Sequence, residues 1–140
     1  RKLSLKALPD SLVTIGEWAF WDCTKVAVSV IPKSVRSIGR LAFTCCEGIT
    51  TLTFQNRMTV IYDRTFAGCK NLERIEFPDG LEEIADFAFA RCVKLTGLQF
   101  PASLRKIGYR SFANCFFLEK VSFQSTPTID DTAFDNCSKL

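Results

Sequence analysis

A period of 23 residues runs through this chain and constrains its fold more than any other feature. Its clearest marker is a short run ending in cysteine. The copies read AFWDC (Ala19 to Cys23), AFTCC (Ala42 to Cys46), TFAGC (Thr65 to Cys69), AFARC (Ala88 to Cys92), SFANC (Ser111 to Cys115) and AFDNC (Ala133 to Cys137). The last copy comes one residue early, and Cys45 alone of the seven cysteines is out of step. Upstream of the phenylalanines run two further apolar columns. One is Ile15, Ile38, Ile61, Ile84, Ile107 and Ile129; the other is Leu12, Val35, Met58, Leu81 and Leu104, broken by Thr126. Downstream lie Val26, Ile49, Leu72, Leu95, Leu118 and Leu140.

The segment from Asn71 to Cys92, NLERIEFPDGLEEIADFAFARC, shows how one copy folds. Leu72, Ile75 and Phe77 form an LxxLxL pattern whose last two apolar members alternate, as a short strand with one buried face requires. Pro78 and Gly80 break that strand. Leu81 and Ile84 then begin a second short extended piece, and the Ala-Phe-x-x-Cys run turns the chain back through a loop or a single helical turn. Gly16, Gly39 and Gly108, each following the isoleucine, predict a tight backbone turn there.

One such coil cannot bury its own apolar side, so neighbours must stack, each strand pairing with its equivalent about 4.8 Å away. The expected fold is mainly β: a right-handed, parallel leucine-rich-repeat solenoid of about six 23-residue repeats, with residues 1–140 as one domain. The asparagine that usually follows LxxLxL is missing. Instead Pro9, Pro32, Pro78 and Pro101 follow the strand, and Leu-x-x-Ile-Gly-x-x-Ala-Phe-x-x-Cys comes next. This pattern resembles the BspA-like, or Treponema-type, leucine-rich repeat family over essentially the whole chain. The resemblance implies an extracellular or cell-surface protein of bacteria or parasitic protists that adheres to host matrix or cell-surface proteins. It implies no catalytic residues and fixes no ligand-binding ones.

Within a stacked solenoid the phenylalanine and cysteine columns belong to the interior, where cysteine acts as a small apolar residue. In-register cysteines have parallel Cβ vectors, which disfavours disulfides along the column. The chain has no histidine, so the commonest general base and metal ligand is missing and no cofactor or metal ligand set is expected. Glu82 and Glu83 fill variable positions and read as a solvated rim. Asp130, Asp131 and Asp135 lack the spacing of a calcium loop. Asn136-Cys137-Ser138 matches a glycosylation pattern, but its centre belongs to the buried column. Cys45, one place before the column, is expected to point outward and is the one thiol to test for reactivity. A net charge of +3, spread along the chain, predicts neither nucleic acid nor an anionic membrane as partner, and no apolar run approaches the length of a spanning helix.

Function then falls to the variable columns, which a solenoid presents as one surface. The outward strand positions are Leu5 and Ala7, Val28 and Val30, Thr51 and Thr53, Arg74 and Glu76, Gly97 and Gln99, Lys120 and Ser122. Two readings of the apolar start stay open. Leu5, Val28 and Val30 form an exposed partner patch, or else a local register shift buries Val28 and Val30 and turns Lys6 and Ser29 outward. A second candidate is Phe116 and Phe117, aromatics in a turn slot that is polar in sibling repeats. Trp18, Trp21, Phe87 and Tyr109 form a further strip of partial core cover. Neither end carries a polar cap, so a segment of a longer array, or self-association through the solenoid ends, is expected. The sequence thus predicts a non-enzymatic protein-binding module, with a structural spacer or self-assembly element as the alternative.

Overall fold

The computed structural model describes residues 3–140, and no helix occurs among them. Each coil has three limbs, and the strands are numbered β1 to β13 in chain order. The first limb is the LxxLxL strand: β1 (Ser4–Leu5), β3 (Lys25–Val26) with β4 (Val30–Ile31), β6 (Thr51–Phe54), β8 (Arg74–Glu76), β10 (Gly97–Gln99) and β12 (Lys120–Ser122). The second holds the isoleucine column: β2 (Thr14–Ile15), β5 (Ser37–Ile38), β7 (Val60–Ile61), β9 (Glu83–Ile84), β11 (Lys106–Ile107) and β13 (Thr128–Ile129). All pairings are parallel and join equivalent limbs of successive coils. The shortened last copy is visible as Lys106 pairing with Thr128.

The third limb carries the Ala-Phe-x-x-Cys run and is more regular than a loop. Its backbone amides donate from one coil to carbonyls of the next: Phe43 N to Thr65 O at 2.9 Å, Phe66 N to Ala88 O at 2.9 Å, Phe89 N to Ser111 O at 2.7 Å. Two left-handed residues per coil make this possible. Trp18, Leu41, Arg64, Phe87 and Arg110 occupy one such column, and Asp22, Cys45, Gly68, Arg91, Asn114 and Asn136 the other, with φ between 50° and 72°. The turn limb is thus a third hydrogen-bonded face.

The core is built from two phenylalanine ladders. Phe20, Phe43, Phe66, Phe89, Phe112 and Phe134 stack with ring centroids 5.2 to 5.4 Å apart. Phe77, Phe100 and Phe123 stack likewise at 5.3 and 5.0 Å. The ladders meet edge to face, as Phe77 does against Phe89 and Phe100 against Phe112, the geometry that aromatic quadrupoles favour.

The expected outward patch is corrected here. Val28 is fully buried, so it is no part of an outward patch; Ser29 and Val30 both face out instead. Leu5 is half-buried and packs on the core, while Lys6 is exposed. The register shift is therefore the correct reading for Val28 but not for Val30, which stays 37% exposed. For Leu5 the ladder gives the cause, since Ser4 pairs with Lys25 and Leu5 with the buried Val26, a step of 21. The glycines open the tight turn expected of them, with Ala42 N donating to Gly39 O and Ser111 N to Gly108 O, each at 3.3 Å, but a left-handed backbone is not what they supply. Gly39 and Gly108 do not have positive φ; they are small because the preceding coil lies against them. A Cβ on Gly39 would run into the Gly16–Glu17 backbone, and one on Gly108 would come within 2.6 Å of Asp86 Oδ1.

Candidate functional site

On the outer face of the first limb, successive strands bring their outward residues into register. Thr51 stands beside Arg74 and Thr53 beside Glu76 on β6 and β8. Gly97 stands beside Lys120 and Gln99 beside Ser122 on β10 and β12. With β10 lying against β8, the four strands floor an open groove of about 920 Å³. Thr51, Thr53, Arg74, Glu76, Gln99, Lys120 and Ser122 all line it, as do Glu119 and the half-exposed Leu140. The inward partners Leu52, Ile75 and Leu98 are buried and tie the floor to the core. Strand alternation puts core packing and groove chemistry on opposite faces of the same residues' backbone. Leu5, Val28 and Val30 lie outside this groove.

The aromatic candidates fall elsewhere. Phe116 and Phe117 are 44% and 49% exposed in the turn slot, with the Lys139 ammonium 4.7 Å from the centre of the Phe117 ring. The expected aromatic strip resolves into two separate pairs. Trp18 meets Trp21 edge-on at 5.7 Å, and Phe87 meets Tyr109 edge-on at 5.3 Å. Arg64 covers Phe87 at 4.4 Å, a cation–π contact. Leu41 and Arg64 interrupt the column between the pairs.

Charged side chains on the remaining rim mostly bridge coils. Glu82 and Glu83 pair with Arg105 and Lys106 at 3.6 and 3.9 Å, and Asp135 with Arg110 at 3.8 Å. Asp130 accepts hydrogen bonds from the Thr132 amide and hydroxyl, which hold its carboxyl below the usual carboxylate range. These exposed pairs contribute little to stability individually, of order 0–1 kcal/mol each.

The cysteine column has a role beyond size. From Cys46 onward each thiol of the column donates to the phenylalanine carbonyl of the preceding coil: Cys46 to Phe20 at 3.1 Å, Cys69 to Phe43 at 3.3 Å, Cys92 to Phe66 at 3.4 Å, Cys115 to Phe89 at 3.4 Å and Cys137 to Phe112 at 3.1 Å. All seven cysteines are unbridged. Burial pushes the Cys46 thiol up to about 12 and raises Cys69 and Cys92 as well. Such thiols are poor nucleophiles, since the reactive species is the thiolate. Cys45 is half-buried rather than fully outward, and its thiol is also raised, chiefly by burial and then by Asp22 and Glu47.

Stacked parallel coils with an LxxLxL strand face, a three-sided hydrogen-bonded core and an open groove define a leucine-rich-repeat solenoid. Within that class, the chain belongs to the BspA type leucine rich repeat family, whose model matches six copies across residues 2–119 and 59–140. Among solved structures, a leucine-rich repeat protein from Bacteroides ovatus is similar at 27% identity and a TM-score of 0.82, covering 99% of this chain and 36% of that one. A leucine rich cell surface protein from Faecalibacterium prausnitzii is 34% identical with a TM-score of 0.81, over 90% of this chain and 33% of that one. The leucine rich repeat protein of T. pallidum is 33% identical with a TM-score of 0.62, over 96% of this chain and 55% of that one. The chain therefore spans about a third of the length of the first two. No curated protein matches it.

Proposed function

We propose that this chain is a non-enzymatic protein-recognition module of a surface or secreted protein, and that it holds its partner in the strand-face groove. One observation carries the reading: four adjacent strands present in-register polar side chains over a concave space of about 920 Å³, while their other face is committed to the core. Concave surfaces of this kind are what solenoids use for binding. The description of the Faecalibacterium relative as a cell surface protein and the family itself support a surface setting with an adhesive role toward matrix or cell-surface proteins. Phe116 and Phe117 support a second site at the edge, because two phenylalanines there are nearly half exposed.

The test is saturable binding to a panel of extracellular matrix proteins, comparing the parent with Thr53→Arg/Gln99→Arg in the groove and Phe116→Thr/Phe117→Lys at the edge. The groove variant should weaken binding by roughly tenfold or more, equivalent to about 1.4 kcal/mol, while the edge variant leaves it unchanged. The reverse pattern moves the site to the aromatic edge. No binding by any protein, with concentration-dependent self-association, supports the spacer or assembly role instead.

A further inference from the structure

Gly97 is out of place in a way that the fold does not explain. It is the only glycine inside a strand among the described residues. Glycine weakens a strand and marks a bulge, a close backbone approach or the approach of a ligand. No bulge is present, because Gly97, Leu98 and Gln99 pair in unbroken register with Lys120, Val121 and Ser122. No neighbour demands a small residue, since the nearest atom to a Cβ placed there is Lys120 O at an ordinary 3.8 Å. Nor does Gly97 have a positive φ. The contrast with Gly39 and Gly108, which the preceding coil crowds, is direct. What the missing side chain does is deepen the groove at its centre.

On either side of that gap, in the same column, stand Arg74 and Lys120, two strand spacings or about 9.6 Å apart at the backbone. Neither side chain enters a hydrogen bond or ion pair among the described residues, so both charges are free to meet a ligand. The groove also holds Glu76, in the other outward column with Thr53, and Glu119, just before β12, but neither forms an ion pair with Arg74 or Lys120. Two long cationic side chains thus flank a floor of bare backbone.

We propose that this gap is the specificity pocket of the groove, and that it takes an aspartate or glutamate side chain of an extended partner segment between Arg74 and Lys120 over Gly97. Arg74 presents a fork suited to a carboxylate and Lys120 a compact charge from the opposite side. Glycine lets the acidic side chain reach the floor, where the flanking charges are least screened. The proposal rests on the strand-face reading and adds to it the chemistry of the partner: an acidic, extended peptide.

An amide-detected NMR titration tests it, with two capped peptides of equal length, one alternating threonine with glutamate and the other threonine with glutamine. Saturable shifts at Gly97, Thr96 and Lys120 with the glutamate peptide alone, weakened roughly tenfold by Arg74→Gln/Lys120→Gln and lost in Gly97→Leu, are expected. Arg36→Gln, an exposed charge outside the groove, should bind as the parent does. Equal shifts from both peptides would overturn the acidic pocket while leaving the strand-face reading intact. Binding that survives Gly97→Leu, or glutamate-peptide shifts confined to other residues, would also overturn it. Silence from both peptides overturns the acidic pocket as well, and the matrix panel with Thr53→Arg/Gln99→Arg then decides the strand face separately.

Discussion

At the scale of single residues, the turn limb shows how a backbone requirement can be written in a variable column. Asp22, Cys45, Gly68, Arg91, Asn114 and Asn136 share a left-handed φ, and four of the six are the glycine, asparagine or aspartate that this region favours. That signal was present in the sequence, one place before each cysteine. The companion column of Trp18, Leu41, Arg64, Phe87 and Arg110 carries no such bias, because its side chains are selected for what they touch and the strain is carried by the surrounding hydrogen bonds. The cost is testable at two sites of opposite sign. Arg91 is exposed with φ 63°, so Arg91→Gly should raise stability by up to about 1 kcal/mol. Gly68 has φ 72°, and a Cβ there would lie 2.9 Å from Cys45 Sγ, so Gly68→Ala should lower stability by roughly 1–2 kcal/mol. Urea midpoints at unchanged slope read both effects; a loss in Arg91→Gly would show that the strain is relieved in some other way.

At the scale of the element, the strands show why periodicity finds a fold before it finds a register. The LxxLxL spacing marks the inward residues correctly in β6, β8 and β10, where Leu52, Ile75 and Leu98 are buried. The same offsets assign Ser29 to the inside of its coil, yet Val28 goes in and Ser29 and Val30 both go out. Column arithmetic assumes that every coil places its extra outward residue at the same point. In the third coil Thr50 and Thr51 are the consecutive non-buried pair, whereas in the second it is Ser29 and Val30, and the hydrophobicity of Val28 over Ser29 outweighs the period. Seven of the candidate groove residues were legible because they sit where the register is regular; Gly97's role was not, because its meaning lies in the absence of a crowding neighbour. A pair of substitutions separates the registers. Val28→Asp should destabilise by several kcal/mol, since it places a charge in a site without exposure. Ser29→Asp should stay within about 0.5 kcal/mol of the parent. Thermal unfolding of the two variants in parallel would return the opposite order if the period alone set the register.

At the scale of the whole molecule, stability is distributed along ladders, and each ladder joins every coil to the next. The phenylalanine stack, the turn-limb amides and the thiol–carbonyl bonds repeat from coil to coil with nearly constant geometry. A condition that acts on one rung therefore acts on many. Alkaline pH is such a condition for the thiols. In the unfolded chain they ionise near the ordinary value of about 9, whereas in the folded chain burial holds Cys46 at about 12 and raises Cys69 and Cys92, and Cys115 is raised by its Cys137 neighbour and then by burial. Below pH 9 both states keep their thiols protonated, and the stabilisation is fully present. Above it the unfolded chain loses protons that the folded chain retains, so stability falls as pH rises toward the folded values. Cys137 runs the other way, lowered chiefly by the neighbouring Cys115 side chain, but the raised thiols outnumber it. The urea midpoint should accordingly be flat from pH 7 to about 8.5 and decline through pH 10 and 11. The decline must be shown to belong to the thiols. Cys92→Ala provides that control: it removes one buried thiol, costs roughly 1–2 kcal/mol at neutral pH through the lost contact and hydrogen bond, and should show a shallower alkaline slope than the parent. Parallel slopes in the two proteins would mean that the thiol ladder does not govern the alkaline limit.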